Sequence, residues 1–219
     1  MITNKKELKF YIKADAMMNT GSFNYSLIRQ IIDYLTGNQI LQYLRALRHV
    51  EYYMNLYAAK RTPINKFLLQ VWRCRTLRIG SRLGLSIAPN VFGYGLVIPH
   101  YGSVIVGGGN QIGNYALLQA NTCIPTGNRK IGEGLYMSNG SKITGDNIEL
   151  PNFCIIAANS VVTKAIPTID FCPPEPLFAG MPAKIVRDNM NPWFQAHGER
   201  HNIKYQKIEA LREQYNLNL

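Results

Sequence analysis

The chain has four histidines, His49, His100, His197 and His201, and one of them stands where chemistry is expected. His100 lies in the run Ile98-Pro99-His100-Tyr101-Gly102-Ser103. An imidazole is the side chain best tuned to take a proton near neutral pH, so the functional reading of His100 is a general base. The other reading is a buried, hydrogen-bonded core histidine. His49 falls on an expected helix, where a solvated or satisfied role is the default. His197 and His201 would be i,i+4 neighbours on a C-terminal helix, but they lack a nearby third ligand, so no metal site is expected. The cysteines (Cys74, Cys123, Cys154, Cys172) are scattered without a CxxC pair, which suits a reducing cytosol. Cys123 and Cys154 read as small core fillers.

The element that must position His100 is written in a six-residue period. Apolar residues recur at Val106, Ile112, Leu118, Ile124, Ile131, Met137, Ile143, Leu150, Ile156 and Val162. The steps from Ile124 to Ile131 and from Ile143 to Leu150 are seven residues long, and the others are six. Such a period predicts a parallel β-helix of hexapeptide repeats, three flat sides to a coil, with one compact apolar residue per side pointing inward. Small residues follow many of these positions (Gly107, Gly113, Gly132, Ser138, Ala157), as a crowded site requires. Thr126-Gly127-Asn128 and Gly145-Asp146-Asn147 accommodate the two extra residues at corners. His100 falls six residues before Val106, in phase with the series.

Composition limits what surrounds this coil. With 219 residues, 47% apolar and 17% charged, the chain is globular. No apolar run reaches 18 residues, so no membrane span is expected, and the charged first residues do not read as a secretory signal. The net charge of +11 and pI of about 9.6 favour an anionic partner. A phosphate-bearing cofactor or the cytosolic face of a membrane, through peripheral association, fits this; nucleic acid does not, for want of a motif.

Residues 1–79 read as an N-terminal helical domain. Ser26 or Asn24 caps a helix with Leu27, Ile28, Ile31, Ile32 and Leu35 on one side, ended by Gly37 and Asn38. A second helix sets Ile40, Leu41, Leu44, Leu47, Met54 and Tyr57 against Arg45, Arg48, Glu51 and Lys60. Thr62 and Pro63 start a third, with Phe67, Leu68, Val71 and Trp72. These apolar and aromatic stripes read as core or subunit contacts. Residues 80–186 read as the coil domain, irregular at first, leaving the ladder at Pro167–Pro176 and returning at 178–186. Residues 187–219 read as a polar helical tail with Ile203, Ile208, Leu211 and Tyr215 on its apolar side.

Several of these pieces resemble the serine O-acetyltransferase family of left-handed β-helix acyltransferases. They are Ile87-Ala88-Pro89, His100 with the run to Val104-Ile105-Val106-Gly107, Lys142-Ile143-Thr144-Gly145-Asp146, Ala158-Asn159-Ser160-Val161-Val162, and Ala179-Gly180-Met181-Pro182-Ala183-Lys184-Ile185-Val186. The fold class this implies is mainly β: a left-handed parallel β-helix with an N-terminal helical domain and a C-terminal helical tail. The resemblance further implies a cytoplasmic acetyl-CoA-dependent O-acetyltransferase, a homotrimer or dimer of trimers, without a metal. His100 would be the base, with Ser86 beside it. CoA contacts would fall near Thr126, Asn139, Ala158, Gly180 and Lys184. Departures from the family pattern bear on the acceptor. Ser86 and Pro99 stand where serine acetyltransferases have aspartates, and the 125–130 loop lacks their Arg-His pair. A free amino acid needs a carboxylate for its ammonium. The pattern is closer to enzymes that acetylate a hydroxyl of a bacterial surface-polysaccharide sugar. The alternatives are serine O-acetylation and a non-catalytic trimeric scaffold. A zinc carbonic anhydrase of this fold would need three histidines around the coils, where only His100 lies.

Overall fold

A computed structural model of the chain describes residues 1–24, 26–164, 176–187 and 192–217, with the side chains of 187 and 192–201 outside the description. Helices come first: α1 (Lys5–Thr20), α2 (Leu27–Leu35), α3 (Ile40–Ala59) and α4 (Pro63–Leu83). Their starts follow from cap chemistry. The side chain of Asn4 accepts the N–H groups of Lys6 and Glu7, Ser26 accepts that of Arg29, and Thr62 accepts that of Asn65 with Pro63 in the first turn. α1 is an addition to the helices delineated from the sequence. α4 runs past residue 79 to Leu83 and ends at Gly84, whose φ of 73° is left-handed. A Cβ at Gly84 would stand 2.9 Å from the Gly102 carbonyl oxygen, so the close turn into the coil needs glycine on both counts.

The chain then forms β1 (Leu85–Ile87), β2 (Val104–Val106), β3 (Gln111–Ile112), β4 (Leu117–Leu118), β5 (Thr122–Ile124), β6 (Lys130–Ile131), β7 (Tyr136–Met137), β8 (Lys142–Ile143), β9 (Glu149–Leu150), β10 (Ile155–Ile156), β11 (Val161–Val162), β12 (Leu177–Gly180) and β13 (Ala183–Arg187). They stack in three sheets, β1-β2-β5-β8-β11, β3-β6-β9 and β4-β7-β10-β12-β13, parallel except for the antiparallel β12–β13 pair. The result is a three-sided prism, the left-handed β-helix expected. Its core is columns of single residues in register. Ile87, Val106, Ile124, Ile143 and Val162 fill the first sheet's column, Ile112, Ile131 and Leu150 the second's, and Leu118, Met137, Ile156 and Phe178 the third's. None of the ten residues in the sequence's apolar series is more than 5% exposed. The small residues after them are required by the next coil. A Cβ at Gly107 would come within 2.2 Å of the Thr126 nitrogen. Cys154 is buried in this core, whereas Cys123 faces outward on β5 and does not fill it.

α5 (Pro192–Gln214) folds back onto the prism and α1. Ile208 is fully buried, and Tyr205, Leu211 and Tyr215 pack beside it. Ile203 is half exposed, so Tyr205 takes the place expected for it. Glu209 accepts hydrogen bonds from the hydroxyls of Tyr94 (2.7 Å) and Tyr115, fixing the helix to the coil.

The largest departure from the sequence reading is on α3. Arg48 and Glu51, expected on its polar side, are both buried. α3 is covered by α1 on one side and the first coil on another, so its charged strip meets protein. Arg48 forms ion pairs with Asp15 of α1 (2.8 Å) and Glu51 (3.0 Å), and donates to the carbonyls of Phe92 and Gly93. Asp15 accepts the Leu96 N–H and Glu51 the Asn90 N–H. One arginine thus joins two helices to the irregular first coil.

Candidate active site

His100 is exposed on an edge of the prism, between Val97, bridged to Leu117 of β4, and Val104 of β2. It is therefore not a core histidine. The same edge turns through residues 119–121, 138–140 and 157–159 in the coils above. The stacking is continuous: the Gly140 N–H donates to the Ala120 carbonyl (3.1 Å), and the Asn159 N–H to the Asn139 carbonyl (2.9 Å). The Gly180 N–H then donates to the Ser160 hydroxyl (3.0 Å). His100, Asn139, Ala158 and Gly180 thus share one exposed edge. At roughly 4.8 Å per coil, Asn139 lies about 10 Å and Gly180 about 19 Å along the axis from His100.

The residues that shape this edge escaped the sequence reading. Thr122, Ser141 and Ser160 are buried, 19 residues apart, each two positions before an inward apolar residue. Their hydroxyls donate to the carbonyls of Gln119 (2.9 Å), Ser138 (2.7 Å) and Ala158 (3.4 Å) and hold each turn closed. Asn121, Gly140 and Asn159 beside them all have left-handed φ values. The common spacing of 19 was the available signal.

Other expected site residues stand elsewhere. Thr126 is exposed on the next edge, between the sheets of β5 and β6, away from His100's edge. Lys184 is exposed on β13, opposite Ala179. Ser86 points outward from the middle of β1, and no hydrogen bond joins it to His100. His100 makes no side-chain hydrogen bond with any described residue. In the 125–130 loop, Arg129 is buried and committed to the corner. It donates to Asn110 Oδ1 (2.9 Å) and to the carbonyls of Pro125 (2.8 Å), Thr144 (3.0 Å) and Gly145. Just outside, the exposed Asp146 carboxylate accepts the Asn128 N–H (2.7 Å), and the N–H groups of Asn128 and Asn147 hold its pKa below the usual value. Among the described residues, no group of three or more His, Cys, Asp or Glu could hold a metal ion. No helix among them is long and apolar enough to cross a membrane.

Solved structures share this architecture. The serine acetyltransferase of Neisseria gonorrhoeae superposes with a TM-score of 0.55 at 23% identity, over 87% of this chain and 68% of that one. The chain has the serine acetyltransferase fold. The soybean serine acetyltransferase matches as apoenzyme with a TM-score of 0.58 at 20% identity, over 83% of this chain and 70% of its own. In its complex with serine the soybean enzyme matches at 0.54 and 20%, over 82% and 68%. No protein-family model and no curated protein sequence matches the chain. Coverage above four-fifths of the chain means that the shared serine acetyltransferase fold extends beyond the prism into the helices.

Proposed function

We propose that the chain is a cytoplasmic acetyl-CoA-dependent O-acetyltransferase. The observation that carries this reading is the single exposed edge holding His100 with Asn139, Ala158 and Gly180, a ledge long enough for an extended thioester cofactor. The His100 imidazole takes the proton of an acceptor hydroxyl as its oxygen attacks the thioester carbonyl. The C–O bond forms, the C–S bond breaks, and the imidazolium returns its proton to the CoA thiolate. Backbone N–H groups at coil corners steady the tetrahedral oxyanion. A base so placed contributes roughly 10²–10⁴-fold. Since no described residue hydrogen-bonds the imidazole, a neighbouring prism in a homotrimer, or in a dimer of trimers, supplies that contact in this reading.

For the acceptor, the comparisons back L-serine better than a polysaccharide sugar, because the structural neighbours are serine acetyltransferases and one of them is a complex with serine. A specific set of residues favours the sugar hydroxyl: Ser86 and Pro99 offer no carboxylate to an ammonium group, and Arg129, the arginine of the 125–130 loop, is buried and occupied. Release of CoA thiol from acetyl-CoA is to be followed with L-serine and with a panel of sugars and nucleotide sugars, beside His100→Ala. Turnover with either acceptor that falls at least about 100-fold in His100→Ala supports the transferase. Full activity in His100→Ala would sink the mechanism, and turnover of serine alone would end the sugar reading.

A further inference from the structure

α2 is folded with its faces reversed. Its apolar residues Leu27, Ile28, Ile31, Ile32 and Leu35 lie on one side at helical spacing, and all are exposed, from 46% to 76%. Its polar side faces the protein. Asp33 is 3% exposed and paired with Arg29 at 2.9 Å, and the Gln30 carbonyl accepts from the Gln42 side chain. That side borders a 230 Å³ cavity lined by Gln30, Gln42, Arg45, Trp72 and Arg75. A helix that buries its polar side and offers its apolar side to water is built for a second apolar medium.

Charge identifies that medium. Residues 1–84 carry 14 of the chain's 24 Lys and Arg but only 4 of its 13 Asp and Glu, so the helical half holds +10 of the total +11. Three of the four acids, Asp15, Asp33 and Glu51, are buried. α4 has Lys66, Arg73, Arg75, Arg78 and Arg82 and no acid at all, and its Ile64, Phe67 and Val71 are exposed beside them. We propose that the helical half docks on an anionic phospholipid surface, with α2 lying in the interface and the surrounding cations on the headgroups. An amphipathic helix and a polybasic surface are the two signals that together give stable peripheral binding. A second copy of the chain is a poorer occupant, because the cations of α4 beside α2 would meet their like. Nucleic acid would match the charge but leave α2's apolar side in water. The proposal is independent of the acetyltransferase reading.

The test is cosedimentation of the full chain with phosphatidylcholine vesicles containing phosphatidylglycerol, against phosphatidylcholine alone, at low and high salt. Ile28→Asp with Ile31→Asp is the variant; both positions are exposed, and circular dichroism checks that the fold is kept. Binding to anionic vesicles that exceeds neutral binding about tenfold or more, weakens with salt, and drops about tenfold or more in the variant is the expected result. Three results overturn the proposal. The protein does not bind anionic vesicles. It binds them equally with and without the α2 substitutions. Or light scattering shows that the α2 variant splits a larger oligomer, so that another copy covers the face. Duplex DNA as competitor adds one more outcome: binding to DNA in place of vesicles also overturns it.

Discussion

Two arginines are buried among the described residues, and they are neutralised in different ways. Arg48 sits at the seam between helices and coil and faces two carboxylates, Asp15 and Glu51, from two helices. Arg129 sits in a corner of the prism and faces carbonyl oxygens and one amide. The seam needed full charges because it joins distant parts of the chain, residues 15, 48, 51 and 90–96, with no shared ladder to align them. The corner needed only dipoles, because the coils already stack in register on either side. The seam is thus a charged, directional joint, and the prism is an apolar repeat whose buried polar groups meet dipoles. Burial pushes the carboxyl pKa values of Asp15 and Glu51 up, against the pull of Arg48, so the joint is a costly one to hold together.

The comparison breaks most easily by removing each arginine in turn. Arg48→Met leaves two buried carboxylates without their cation, and is expected to cost about 3–5 kcal/mol. Arg129→Met leaves Asn110 Oδ1 and the carbonyls of Thr144 and Gly145 without its donors, while Pro125 keeps the Asn110 amide (3.0 Å); no charge is left unpaired, and the expected cost is about 1–3 kcal/mol. Urea unfolding followed by circular dichroism measures both. Equal losses, or a larger loss at Arg129, would remove the distinction between seam and corner.

The same contrast explains what the sequence could tell. The prism was legible almost residue by residue, because each inward position depends only on neighbours one coil away and repeats with a fixed period. Cys123 was misplaced inside it because position in the period, not residue type, decides the direction. The helical half was legible as helices, through Ser26, Thr62 and Pro63, but its burial was not. A charged residue on a helix normally marks the solvent side, and nothing local at Arg48 or Glu51 signals a carboxylate 33 residues away. α2 shows the reverse, an apolar side that read as core or subunit contact and is not part of the core. At the candidate site, phase and residue type singled out His100, and the fold leaves it exposed on an edge. The edge was only partly found: Asn139, Ala158 and Gly180 share it, while Thr126 does not, since coil corners look alike until the sheets are known.

A second test uses alkali. The Tyr43 hydroxyl, at the seam, accepts the N–H of Ile87 (3.0 Å), and burial pushes its pKa from 10.0 up to about 12. Burial also raises Tyr94 and Tyr115, with the bond each donates to Glu209 adding to the rise. A phenol whose folded pKa is raised keeps its proton longer in the native state than in the unfolded one. Its share of stability is whole below pH 10 and is lost as pH rises from 10 through about 12. Unfolding by alkali should therefore start at the seam and at the α5 contact. Tyr43→Phe should cost about 1 kcal/mol at neutral pH and flatten the alkaline loss. Tyrosinate absorbance set against circular dichroism reads this out, and a Tyr43 phenol that ionises at its ordinary pKa in the folded protein contradicts it.

The smallest effect sharpens the comparison from the acid side. His49 stacks on Trp72 (centroids 3.9 Å apart, planes 19° apart), and its Nδ1–H donates to the Arg45 carbonyl at 2.7 Å. Burial lowers its pKa, the Arg45 carbonyl pulls it back up, and the charges of Arg45 and Arg75 lower it further. A histidine with a depressed folded pKa takes its proton first in the unfolded chain. Its share of stability is therefore present above 6.5 and lost as pH falls below that value toward the folded pKa. His49→Phe keeps the stacked ring and forfeits the bond to Arg45, so it should be less stable than the parent at neutral pH by about 0.5–1.5 kcal/mol. The gap should narrow as the solution is acidified, because the variant has no ring to protonate. Hydrogen exchange should place the acid-sensitive opening in α3 and α4, with the amides of β5, β8 and β11 unchanged. If acid opened those strands together with the helices, the helical half and the prism would be one cooperative unit, and the seam would transmit charge rather than isolate it.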